Sequence, residues 1–301
     1  MKKKTSISRR EFLKSSSMAA VGSTLFIASG GKKNLTEEPV RQRATVVMVR
    51  DPAVLDSSGQ PVFEVVLRML DQGVTTLMGE KNPVDCWKKI LKKDDIVGIK
   101  SNVWRFIPTT AQVENAIKRR IMDAGIPENR IGVGDRGILR QEIFKYATAL
   151  INARPMRSHH WSGVGSLIKN YIMFVPRPTE YHPDSCADLA TIWKLPIVKD
   201  KTRLNILVMF TPQFHGVGPH NFNPKYVWKY HGMIIGFDPV AVDSTGVRIL
   251  QAKRNDYFGE MRPLNPPPKH VFLADSRHHL GTADPNKIKL IKLGYKENIL
   301  I

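Results

Sequence analysis

The sequence predicts an α/β fold: a Rossmann-like, mostly parallel sheet flanked by helices, with long His- and Pro-rich loops in the middle of the chain. Three observations carry this. Between residues 44 and 150, short apolar runs of strand length alternate with segments of helical period. The same rhythm returns after residue 232. Residues 151–230, between them, are rich in Pro, His and aromatic side chains and keep no steady period. Strand–helix–strand alternation is the pattern of a parallel sheet with helices packed on its faces.

Taken in order, Ala44–Val49 is the first apolar run and reads as a strand. Val62–Leu70 has helical spacing, with Val62, Val65, Val66 and Met69 on one face. Val84–Leu91 is amphipathic and helix-like and carries Cys86. Ile96–Ile99 is a buried strand closed by Lys100-Ser101-Asn102. Thr109 and Gln112 have the spacing of a capping box. The helix that follows turns Val113, Ala116, Ile117, Ile121 and Ala124 inward and stops at Gly125. Arg130–Val133 is the next strand and Ile138–Leu150 the next helix. Ile206–Phe210 is a strand within the irregular middle. Met233–Phe237 is a strand leading into a helix from Pro239 to about Gln251, and Ile288–Leu293 is a last edge strand. Pro266-Pro267-Pro268 is a rigid local linker.

The first thirty residues read as an address. Lys2, Lys3, Lys4, Arg9 and Arg10 form a basic head, Met18–Ile27 is apolar or small, and Ala28-Ser29-Gly30 offers a cleavage zone. Ser8–Lys14, SRREFLK, matches the S-R-R-x-F-L-K string of twin-arginine translocation signals at every position. The competing reading, a basic amphipathic helix on acidic lipid, fits poorly with the Ser/Gly-rich tail. The apolar stretch is about half of the ~20 residues that cross a bilayer, so no transmembrane anchor is expected after signal removal. Residues 1–30 are thus read as the export signal, 31–43 as a linker and 44–301 as a single α/β domain. The twin-arginine translocase is the expected partner, and the periplasm or cell envelope the expected location. Because that route carries folded cargo, it favours a bound metal or cofactor.

The chain of 301 residues holds 46 basic and 27 acidic side chains. Without the signal the balance is 40 against 26, so the exported part stays basic. Its lysines are scattered and no arginine–aromatic cluster appears, which favours a solvated basic surface over nucleic acid or an anionic envelope surface as the meaning of the charge. Cys86 and Cys186 are the only cysteines and no C-x-x-C occurs, so no iron–sulfur cluster is expected. Whether the two pair is left open.

Several groups could carry chemistry. Gly132-Val133-Gly134-Asp135-Arg136-Gly137 matches G-x-G-x-x-G, but its first glycine lies within the strand and no acidic residue stands about 20 positions on, so no NAD site is expected. The strand instead delivers Asp135 to the carboxyl edge of the sheet, where Lys100 and Asn102 arrive from its neighbour. Asp135 capping the next helix is the alternative. His160 of Ser158-His159-His160, with His182, Asp184 and His215 from other loops, could hold a divalent metal. Adjacent histidines point apart, so one of the pair enters a site. Asp238 and Pro239 make a good helix start, with Asp243 one turn on, and both aspartates are candidates to face the crevice.

VGIKSN (97–102), GVGDRG (132–137), GVGSLIKN (163–170), LPIVKDKTRLNI (195–206), GFDPVAVDSTGVRIL (236–250) and HLGTADPNKIKLIKLG (279–294) together resemble the domain-of-unknown-function family 362. The resemblance implies an α/β fold and often an exported or redox-associated setting, without an established reaction. Relatives tend to carry Lys-Asp-His where Ser158-His159-His160 stands, which leaves His160 as the matching residue. A polar residue common after the R-L-N-I stretch is replaced by Leu207-Val208. The combined expectation is a metal- or anion-binding envelope enzyme of unknown reaction, or a non-catalytic ligand-binding protein on the same scaffold. Asp135, His160, Lys169 and Asp243 are the expected catalytic groups, and Lys100, Asn102, Asn170, Arg203 and Asp238 the ligand contacts. His160, His182, Asp184 and His215 are the expected metal ligands.

Overall fold

The structure is a computed structural model that describes residues 43–216 and 222–301. The export signal and nearly all of the linker lie outside the described residues.

Among the described residues eight strands form one sheet: β1 (Ala44–Arg50), β2 (Val97–Lys100), β3 (Ile131–Gly134), β4 (Ala149–His159), β5 (Gly163–Gly165), β6 (Thr202–Gln213), β7 (Gly232–Gly236) and β8 (Ile288–Gly294). Their order is β3-β2-β4-β6-β7-β1-β8, with β5 paired to β4. Only β7 and β5 run antiparallel to their neighbours. The α/β, mostly parallel architecture is therefore as expected.

Strand alternation divides the apolar side chains between the two faces. Val47 and Val49 of β1 point to one face, where α1 (Phe63–Met78), α2 (Pro83–Ile90) and α3 (Ala111–Asp123) pack. Val46 and Met48 point to the other. That second face also receives the short helices α4 (Glu142–Tyr146) and α5 (Leu167–Asn170), and the long α6 (Pro239–Phe258) and α7 (Lys269–Ser276). Both faces are covered, which is why β7 and Val46–Val49 of β1 are apolar without alternation. Gly246 lets α6 approach closely, since a Cβ there would stand 2.5 Å from Leu207 Cδ2.

Helix starts follow the local chemistry. Asn82 Oδ1 accepts from Val84 N at 2.9 Å ahead of Pro83 in α2, and Asp238 caps α6 ahead of Pro239. The capping box is not formed. Thr110 is the N-cap of α3, and the Thr109 hydroxyl instead accepts from Asn102 N and donates to the Ala153 carbonyl.

The larger departure lies in the middle of the chain. The expected helix over 138–150 is a single turn at Ile138–Arg140 followed by the five residues of α4, and from Ala149 the chain is extended. Residues 151–230 are not mainly loop. They contain β4 and β6, the two longest strands of the sheet, which pair with each other at its centre. Pro155, within β4, is tolerated because β2 ends opposite Asn152, so no ladder bond is asked of its missing N–H on that side. The β4–β6 register also shifts between Pro155 and Arg157.

Cys86 and Cys186 are both free and buried, in the cores on opposite faces of the sheet. Among the described residues no helix is long and apolar enough to cross a membrane.

Candidate functional site

The chain leaves β2 for β3 through α3 on one face, and returns from β3 to β4 across the other. Connections that part in this way leave a crevice at the carboxyl ends of the strands. A cavity of about 210 Å³ lies there.

Its floor is a polar ladder. The Lys100 ammonium, at the end of β2, donates to Asp135 Oδ1 at 2.5 Å, to the Ser101 carbonyl at 2.6 Å and to Asn170 Oδ1 at 3.2 Å. All three of its protons are thereby used. The second Asp135 oxygen accepts from Val103 N at 2.9 Å. Asn170 Nδ2 donates to the Lys100 carbonyl and to Asn152 Oδ1, and Asn152 donates on to Leu167 O and Asn205 Oδ1. Burial draws Lys100 down to about 8 despite Asp135. Burial also pushes Asp135 up, but the charge and hydrogen bond of Lys100 outweigh it and hold the carboxyl below its ordinary range.

The walls are cationic. Arg154 and Arg157 come from β4 and Lys169 from α5, each less than 5% exposed. Residues three apart in a regular strand face opposite ways; both arginines reach the cavity because the strand is irregular between them. Neither Arg154 Nε nor Arg157 Nε has a hydrogen-bond partner among the described residues. Arg157 lies 4.1 Å over the Trp104 ring. Burial brings Arg154 down to about 10, and burial with the nearby Arg154 charge lowers Arg157. Lys169 Nζ donates to Cys186 Sγ at 3.4 Å, and burial draws it to about 8.

Rings close the rim. His159 and His160 stack at 5.0 Å, His160 meets Trp161 at 4.2 Å, and Trp161 meets His182 at 4.0 Å. His159 lines the cavity and His160 does not. The two rings stack rather than point apart, and His159 is the one that enters. Burial, followed by the Lys169 charge, keeps His159 neutral far below its ordinary range, and the same causes bring His182 to about 4.

Of the residues singled out in the sequence, Asn102, Asp135, Lys169, Asn170 and His182 line this cavity, with Lys100 directly beneath. Asp243 does not line it. Its carboxylate is fully buried and accepts from Ser166 Oγ at 2.7 Å and from Leu167 N and Ile168 N at 2.9 Å. It holds the start of α5, which carries Lys169 and Asn170, and burial raises it to about 6.

Two expected ligand contacts fall elsewhere. β7 runs against β6, with Gly236 opposite Asn205, so Asp238 emerges at the amino edge of the parallel strands. Both its oxygens are taken by Val240 N, Ala241 N and Thr282 N. Arg203, at the start of β6, is at that same edge and donates to the Asp200 and Thr148 carbonyls.

The expected metal set does not assemble. Trp161 stands between His160 and His182, Asp184 pairs with Lys269, and His215 is held by Arg254. Among the described residues no three His, Cys, Asp or Glu side chains converge as a ligand group.

Arg154, Arg157, His159 and Trp104 were not singled out from the sequence. Their signal was two arginines flanking Pro155 in an apolar run: the proline forbids a helix, and charges in a buried strand need a purpose. A second, larger cavity of about 340 Å³ lies on the α1–α3 face. The exposed Arg105 is its one charged lining residue, so it offers far less chemistry.

Fold and site together define an α/β protein with a cationic, ring-rimmed crevice at the carboxyl edge of its sheet. Over residues 136–248 the chain matches the model of a family described as a domain of unknown function (DUF362). The matched stretch contains Arg154, Arg157, Lys169 and Asp243. No curated protein and no solved structure matches the chain.

Proposed function

We propose that the protein binds a small organic or inorganic anion, bearing a carboxylate or phosphate, between Arg154, Arg157 and Lys169, and that it does so in the cell envelope after twin-arginine export. The observation that carries the binding reading is the pair of buried guanidinium groups with unpartnered Nε atoms. Around the cavity, Lys100, Arg154, Arg157 and Lys169 are buried, and the buried carboxylates near them among the described residues are Asp135 and Asp243. Asp135 is already bound to Lys100, and Asp243 to the start of α5. A buried charge without a partner costs several kcal/mol, and an oxyanion held by guanidinium forks supplies the missing hydrogen bonds. The export reading rests on Ser8–Lys14.

Titration of the purified protein with phosphate and with small mono- and dicarboxylates tests the reading, with tryptophan fluorescence as the signal because Trp104 lies against Arg157. At least one of these anions should bind saturably, with affinity at least ~100-fold weaker in Arg154→Met/Arg157→Met, the loss of two charge-assisted contacts. Wild-type protein that binds none of them would refute the proposal. Replacing Arg9 and Arg10 by Lys should keep the protein in the cytoplasm; unchanged export would remove the envelope part alone.

A further inference from the structure

The two buried lysines of the site are not equivalent. Lys100 is saturated by Asp135, Ser101 and Asn170 and does not line the cavity. Lys169 lines it, and the partner of its amine is the thiol of Cys186. No carboxylate is bonded to that amine among the described residues. The groups that act on it from the packed elements are Arg154 and Arg157 of β4, which oppose a proton, and Cys186, which favours one less strongly than burial opposes it. The rings around the amine, His159, His182 and His270, are each kept neutral by burial first and by the Lys169 charge second. Cys186 itself is kept as the thiol by burial. An amine desolvated among cations, with its value drawn to about 8, has a far larger unprotonated, nucleophilic fraction near neutral pH than an ordinary lysine.

We propose, building on the anion-binding reading, that Lys169 is the nucleophile for a 2-oxo acid, forming an imine with its carbonyl carbon while Arg154 and Arg157 hold its carboxylate. The ligand class follows from the juxtaposition of an amine with an arginine pair that faces the same cavity of about 210 Å³, a size suited to a small molecule. In the reaction the Nζ lone pair attacks the carbonyl carbon and the C=O π pair moves to oxygen. A proton passes from nitrogen to that oxygen to give the carbinolamine. The hydroxyl then departs with a proton as water while the nitrogen lone pair forms C=N. One water leaves for each imine formed, and nothing is oxidised or reduced.

Borohydride trapping tests this. The purified protein is incubated with pyruvate or 2-oxoglutarate, reduced, and mapped by peptide mass. One reduced adduct per chain is expected on the peptide that carries Lys169. It should be lost in Lys169→Arg, which keeps the cation but cannot form an imine, and reduced at least ~10-fold in Arg157→Met. Lactate, which has the carboxylate but no carbonyl, should bind wild type and leave no adduct, and a cooperative melt with a wild-type circular dichroism spectrum shows that Lys169→Arg is folded. Lactate binding without an adduct on Lys169 from either oxo acid would overturn the imine proposal and leave the anion site standing. Failure of lactate and of both oxo acids to bind would overturn the imine proposal, and would overturn the anion site as well if phosphate and the other carboxylates also fail to bind. An adduct that persists in Lys169→Arg would assign the chemistry to another amine and overturn the proposal.

Discussion

Arg154 is buried, its Nε has no partner among the described residues, and the attraction of Asp135 and Asp243 does not offset the cost of its burial. On the proposed anion-binding reading, such a residue serves the ligand at the expense of stability. Arg154→Met should therefore raise stability by about 1–2 kcal/mol while weakening anion affinity, a pairing that denaturant melts and ligand titration read independently. Lys169 gives a second test, through pH. Its folded-state value of about 8 lies below the ordinary 10.5, so the unfolded chain holds this proton more tightly. The penalty is fully present below pH 8 and is relieved as pH rises from 8 to 10.5, amounting to about 3 kcal/mol. Urea melts across that range should show wild type gaining on Lys169→Met as pH rises. Parallel curves for the two proteins would mean that Lys169 is not desolvated. Lys100, Asp135, Lys169 and Asn170 were legible as residues because each stands at the end of a readable strand or in a distinctive polar break. Arg154 and Arg157 were not, because a charged strand with a central proline imitates a loop.

At the scale of elements, the two aspartates of α6 separate stability from function. Asp238 caps α6 and also ties down Thr282, at the edge of the sheet away from the cavity. Asp238→Ala should cost about 2 kcal/mol and leave anion affinity within twofold of wild type, as expected of a lost cap with one further backbone bond. Asp243 organises α5 through two backbone N–H groups and Ser166. Asp243→Ala should cost about 3 kcal/mol and also weaken binding, since α5 carries Lys169 and Asn170. If both variants bind like wild type, α5 does not position the site. The sequence presents these aspartates as one motif. The antiparallel turn of β7 sends one to the far edge and the helix carries the other inward, which no local pattern encodes.

For the whole molecule, the sheet itself separates the cysteines. Cys86 belongs to the core under α2 and Cys186 to the core beside Lys169, with the strands between them. Mass measured without reductant should show two free thiols, alkylated only on unfolding. A disulfide in the native protein would require a different fold. The same sheet decides where charge collects. The basic excess is spread along the chain, but β2, β3, β4 and β6 run parallel and bring Lys100, Asp135, Arg154 and Arg157 to one edge.

By itself the sequence determined the α/β class, because apolar period and helix caps are local and act through neighbours a few residues apart. It also determined that β2 and β3 deliver Lys100 and Asp135 to a common edge, since parallel strands joined by a helix place their carboxyl ends together. Only the tertiary structure decided that β4 and β6 form the centre of the sheet, that Asp238 and Arg203 lie at the opposite edge, and that Arg154, Arg157 and Lys169 face one cavity. Strand order, direction and register are set by pairings between residues far apart in the chain, such as Asn152 with Asn205 and Val46 with Gly236, and burial in a shared core gives those pairings their energy.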